Sequence, residues 1–171
     1  MFKKTLSVLI FICACTLVFA QTAPKKVLSV KDIDGFIKNY AAMDSEFTAL
    51  GNMYENLIEP GTEEETLGSA ITRARTTKAP PEIQAIIKKY GFGDNGFEKI
   101  MVITFGCSAL EMDRAMDEQT AGIEMTPEMK GYLDTAKAQI AEMKAAFDPA
   151  DLKLIQSKQD EIITLLTLTG E

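Results

Sequence analysis

Phe97-Glu-Lys-Ile100-Met101-Val102-Ile103-Thr-Phe105-Gly-Cys107-Ser-Ala-Leu110-Glu-Met112-Asp-Arg-Ala-Met116 decides the fold of this chain. On a helix of about 3.6 residues per turn, its apolar side chains surround nearly the whole circumference. A helix that is apolar all round belongs at the centre of a bundle, because no face of it suits water. Past Leu110 the composition turns polar, with Glu111, Asp113, Arg114, Asp117 and Glu118. The spacing predicts one long central helix over 96–119, opened by Asn95-Gly-Phe-Glu98 with the spacing of a capping box.

The segments on either side carry narrower apolar stripes that would pack on this axis. Upstream, Ile33, Phe36, Ile37, Tyr40, Phe47, Leu50 and Tyr54 recur at steps of three and four, predicting a helix over 30–57. Ser29-Val-Lys-Asp32 opens it as a capping box with Asp in place of Glu, and Pro60-Gly61 ends it. Two short helices are expected at 63–77, opened by Thr62-Glu-Glu-Glu65, and at 82–90, opened after Pro80-Pro81 and stopped by Gly91. Downstream, Thr126-Pro127-Glu128 and Asp148-Pro149-Ala-Asp151 each place a cap and a first-turn proline before a stripe. The stripes are Met129, Leu133, Ala136, Ile140, Met143, Phe147 and then Leu152, Ile155, Ile162, Ile163, Leu166. With almost no linker between them, these last two helices are expected to pair as an antiparallel hairpin. No stretch alternates with the period of a strand. The fold class is therefore all-α: an irregular bundle of about four longer and two short helices, occupying residues 30–168 as one domain.

The first twenty residues have a different character. Lys3 and Lys4 precede an uncharged apolar run from Thr5 to Phe19, and Val18-Phe19-Ala20 ends it with small residues at the positions a signal peptidase reads. Cleavage is expected between Ala20 and Gln21, leaving a short polar leader over 21–29. The run is about 15 residues, short of the ~20 that span a bilayer, and no later segment approaches that length. A periplasmic or secreted location follows, with no integral membrane segment in the mature chain. The alternative is a lipid anchor: Ile12-Cys13-Ala14-Cys15 loosely resembles a lipobox in which Cys15 is acylated.

Composition narrows the function classes. Two positive charges leave with the signal, taking the formal −7 of the whole chain to −9. Such a surface repels phosphate backbones and anionic lipid, so nucleic acid is not an expected partner. Arg73, Arg75 and Lys78 form the one basic cluster, read as a solvated helix face. Cys107 is the only cysteine left after cleavage, so the mature fold has no internal disulfide and a buried thiol is expected. The chain has no histidine, which removes the commonest general base and the usual zinc and copper ligand.

Three features could carry chemistry. Gly91-x-Gly93-x-x-Gly96 matches a dinucleotide fingerprint, but a helical segment precedes it where that motif needs a strand. It reads as a helix–helix turn, and no cofactor is expected. Glu111, Asp113, Arg114 and Asp117 form a polar cluster at the end of the central helix. An enzyme of hydrolase or metal-dependent type would draw its acid, base or ligands from there, whereas a network of ion pairs is the structural alternative. Eight methionines follow Met1, with Met112/Met116 and Met125/Met129 four apart. Such residues fill cores, form adaptable binding surfaces or hold copper(I).

In layout (signal, long helix, Pro-Pro helix, apolar helix, Pro-started helices) the chain resembles small bacterial periplasmic proteins. The local echo is Ile86-Ile-Lys-Lys-Tyr-Gly-Phe92. The Leu-Thr-x-x-Gln signature of small helical periplasmic chaperones does not occur. The leading expectation is a non-enzymatic exported helical module that binds an envelope protein or an apolar ligand. The carboxylate enzyme and methionine-based copper(I) binding are the rivals.

Overall fold

The computed structural model describes residues 24–51 and 67–169, and the regular elements among them are seven helices with no strand. They are α1 (Val30–Thr48), α2 (Leu67–Thr76), α3 (Pro81–Lys89), α4 (Gly96–Thr120), α5 (Pro127–Ala145), α6 (Pro149–Gln156) and α7 (Gln159–Thr169). The all-α irregular bundle is thus observed. The signal segment, its Ala20–Gln21 cleavage site, Cys13, Cys15, Tyr54 and the Thr62–Glu65 cap lie outside the described residues.

α4 is the axis, and it touches each of the other six helices. Phe97, Ile100, Met101, Val102, Ile103, Cys107, Ala109 and Leu110 are buried around all its sides. Each large side chain of this set contributes about 1.5–3 kcal/mol on leaving water. α1 lays Ile33, Phe36, Tyr40, Met43 and Phe47 against the same core, with the Phe36 and Tyr40 rings 4.6 Å apart. Ile83 and Ile87 of α3 and Ile155 and Ile162 of the last two helices complete it.

Four sequence expectations need correction. α1 ends at Thr48, not near residue 57, and Gly51 just beyond it has φ +64°. That left-handed backbone cannot continue a helix. The final helix is two, because Gln156 to Glu161 supply six polar residues in a row between Ile155 and Ile162. Without an apolar side chain on the core face at that turn, the chain breaks after Gln156, and Ser157 Oγ donates to the Leu154 carbonyl at 2.6 Å. The expected hairpin of the last two stripes does not form. α5 packs on α4 and α2, while α6 and α7 pack on α4 and α1. An axis that is apolar on every side lets the successive stripes bury against it from different directions instead of against each other. Finally, Asn95 makes no side-chain cap on α4; Glu98, its expected capping partner, instead pairs with Arg75 at 3.1 Å.

The other caps hold. Ser29 N–H donates to Asp32 Oδ2 at 2.8 Å, Met129 N–H to Thr126 Oγ1 at 3.2 Å and Ala150 N–H to Asp148 Oδ1 at 2.8 Å. The glycine motif is a helix–helix turn. Gly91 and Gly93 have φ of +88° and +75°. A Cβ on Gly96 would lie 2.2 Å from Ile87 Cγ2 and 2.6 Å from Phe92 Cβ, so the third glycine is a packing requirement.

Val27 and Leu28, just before α1, are part of the fold. Leu28 is buried in the core, and Asp151 reaches back to it from the first turn of α6. Its carboxylate accepts from Val27 N–H at 2.9 Å and from Leu28 N–H at 3.0 Å. Asp151 is 0% exposed and pairs with no cation among the described residues; the two amides and the N-terminal end of α6 supply the positive partner. The sequence marked Asp151 only as a helix-start acid.

Candidate functional site

The central helix outruns the bundle. Its 25 residues span about 37 Å at ~1.5 Å per residue. Burial stops at Leu110, and none of the residues from Glu111 to Gln139 is buried. This stretch is the polar half of α4, the connection over 121–126 and the first two thirds of α5. Together they form an antiparallel helical hairpin that projects beyond the core.

Two ion pairs set its register. Lys144 Nζ meets Asp113 Oδ2 at 2.6 Å, and Lys137 Nζ meets Asp117 Oδ1 at 2.9 Å. The hydrogen bond to Asp117 is the main reason the Lys137 ammonium is held above its ordinary pKa. On the other side of α4, Arg114 pairs with Glu111 at 2.8 Å and with Asp160 of α7 at 2.9 Å. Gln159 Nε2 donates to Glu111 Oε2 at 3.0 Å. The four residues singled out from the sequence therefore divide between two helix–helix seams. Asp113 and Asp117 face lysines of α5; Glu111 and Arg114 face α7. A depression of about 540 Å³ beside them is open to solvent, and Lys144, Lys153 and Gln159 also line it. Among the described residues no three His, Cys, Asp or Glu side chains converge as a metal site would require.

The hairpin is also where apolar surface is left uncovered. Met112 is 45% exposed, Ile123 51%, Met129 45% and Tyr132 72%; Met116 and Met125 are half-buried beside them. The α5 stripe shows why. Ile140, Met143 and Phe147 enter the core, and Met129 and Leu133 continue the same stripe after the core has ended. Met43, Met101 and Met143 are core residues, so the methionines among the described residues divide between packing and the hairpin surface, and Met53 lies outside the described residues.

Cys107 sits where α4 meets α7, its thiol 4.0 Å from the Gln159 carbonyl. Burial, with a smaller push from the Glu111 carboxylate, raises it to about 11, so it is an inert thiol at neutral pH. Arg75 is not on a solvated face. Its guanidinium donates to the Ala146 carbonyl and to Glu98 and lies 5.9 Å over the Phe147 ring. The end of α2 packs on the α5–α6 corner, which the stripe of α2 alone did not indicate.

Fold and site together define a class: an α-helical bundle built on one long axis, carrying a projecting, partly apolar helical hairpin. Set against family models, curated proteins and solved structures, the chain finds no match. Among the described residues no helix is long and apolar enough to cross a membrane.

Proposed function

We propose that this chain is an exported, non-enzymatic helical module that binds another protein through the hairpin at the end of α4 and α5. The observation that carries this is the uncovered apolar set Met112, Ile123, Met129 and Tyr132, all within one projecting element. Elsewhere the described residues leave only Val30 and Leu168 as large exposed apolar side chains. Concentrated apolar exposure on an otherwise polar surface is the mark of an interaction site. Methionine and tyrosine suit that task, the first by adapting its shape and the second by offering area at small entropic cost. Export rests on the charged, apolar and small-residue pattern of residues 1–20, with acylation at Cys15 as the alternative route to the envelope.

A photo-crosslinking side chain at position 132 tests the docking surface in living cells. Discrete adducts are expected there, and none at position 38 on the exposed outer face of α1. Adducts at neither position, or equally at both, would remove the hairpin as the docking element. N-terminal sequencing of the purified product tests export separately: Gln21 as the first residue is the expected result. A chain that keeps Met1 would exclude cleavage, and an acylated Cys15 would replace release by anchoring.

A further inference from the structure

Resting on the hairpin as the docking surface, we infer that its partner is a basic amphipathic helix, which lays its apolar face on Met129 and Tyr132 and its Lys or Arg residues against the acids around them. Met129 and Tyr132 are three apart on α5 and so share one face. Between Arg114 and Lys130 the chain carries four acids and no base. Of these, Asp117 is held by Lys137, while Glu118, Glu124 and Glu128 are exposed and make no ion pair among the described residues.

The α4 terminus adds a second, independent reason. Asp117 and Glu118 stand in its last turn, and that turn has no base. Carbonyl dipoles already make a helix C-terminus negative, so cations are favoured there and acids are not. The α4 end of the hairpin has acids and no base in its own last turn, and a cationic partner relieves it. An amphipathic helix is held by apolar anchors on its partner's surface with complementary charge around them, and Met129 and Tyr132 with the neighbouring acids supply both.

The same charges argue against the other occupants. A second copy would bring one acid-rich hairpin end against another, juxtaposing like charges. The segment 52–66 of this chain carries five glutamates and no base.

The probe is an 18-residue peptide of leucine and lysine arranged with one apolar helical face. Titration calorimetry on the mature chain at physiological salt reads its binding. Two control peptides are a scrambled sequence of the same composition and a leucine–glutamate version of the same spacing. The ordered basic peptide is expected to bind, the scrambled one at least about tenfold more weakly, and the acidic one not at all. Replacing Glu118, Glu124 and Glu128 together by glutamine should weaken binding about tenfold and flatten its salt dependence. Met129→Ser with Tyr132→Ser should weaken it by a similar factor while leaving the salt slope in place. Equal binding of ordered and scrambled peptides, or no loss in the triple glutamine variant, would overturn the inference. Should the basic peptide fail to bind while crosslinking at position 132 still gives adducts, the partner assignment falls and the docking surface stands. Failure of both removes both.

Discussion

The two halves of α4 share one continuous backbone and opposite surroundings. From Phe97 to Leu110 the helix is enclosed by six neighbours; from Glu111 to Thr120 it has α5 along one side and water along much of the rest. The first half is held by apolar burial, the second by ion pairs to Lys137, Lys144 and Asp160. Exposed pairs of that kind contribute little, typically about 0–1 kcal/mol each. The contrast teaches that burial and exposure are divided along one helix. The enclosed half supports the fold, and the projecting half leaves large apolar side chains such as Met112 uncovered.

Substitution on the two sides of Leu110 is the sharpest way to break this comparison. Ile103→Ala should cost about 2–4 kcal/mol in urea unfolding, because a fully buried side chain leaves a cavity on the bundle axis. Met112→Ala and Tyr132→Ser should each cost less than about 0.5 kcal/mol. Comparable losses in both halves would mean that the hairpin is structural. Next in size is Asp151→Ala, expected to cost about 2–3 kcal/mol because it leaves two amides without acceptors. Hydrogen exchange should then show Val27 and Leu28 losing protection while the hairpin amides keep theirs; unchanged exchange at those two amides would refute the clamp.

The smallest effect is in the acid limb of stability. Burial pushes the Asp32 carboxyl upward, but hydrogen bonds from Lys99 and Ser29 outweigh it and hold the group below its ordinary value. Its folded-state pKa is depressed, so its contribution is full above the ordinary carboxylate range and is lost as pH falls through the folded value. Asp44 runs the other way. Burial raises it and the Tyr40 hydroxyl only partly offsets that, so the folded state gains relative stability as this group protonates. Asp32→Asn should therefore flatten the fall in stability toward low pH, and Asp44→Asn should steepen it. Urea midpoints from pH 7 to 3 check both signs, and parallel profiles for the two variants would contradict the assignment.

Much of this was legible in the sequence. The all-round apolarity of Phe97 to Leu110 located the axis, the Thr126-Pro127 and Asp148-Pro149 signals located two helix starts, and the glycine motif was placed in a turn. Periodicity shows which face is apolar but not what covers it. The stripe of Met129, Leu133, Ala136, Ile140, Met143 and Phe147 is uniform in sequence, yet only its last three members reach the core. Where a bundle stops along a stripe depends on the lengths of neighbouring helices, and so the projecting hairpin was not visible beforehand. The cluster Glu111, Asp113, Arg114 and Asp117 was found as a set, but its division between two seams depends on which helices flank α4. Asp151 escaped notice because its partners are backbone amides, which leave no mark in a residue pattern.

That carboxylate also ties the beginning of the chain to a residue made late in synthesis. Its acceptor atoms stand 124 and 123 positions beyond the amides they receive. A nascent chain lacking its last two helices has no group to complete its own beginning, however much of the axis has already emerged. The amides of Val27 and Leu28 thus gain their acceptor only once residue 151 is in place.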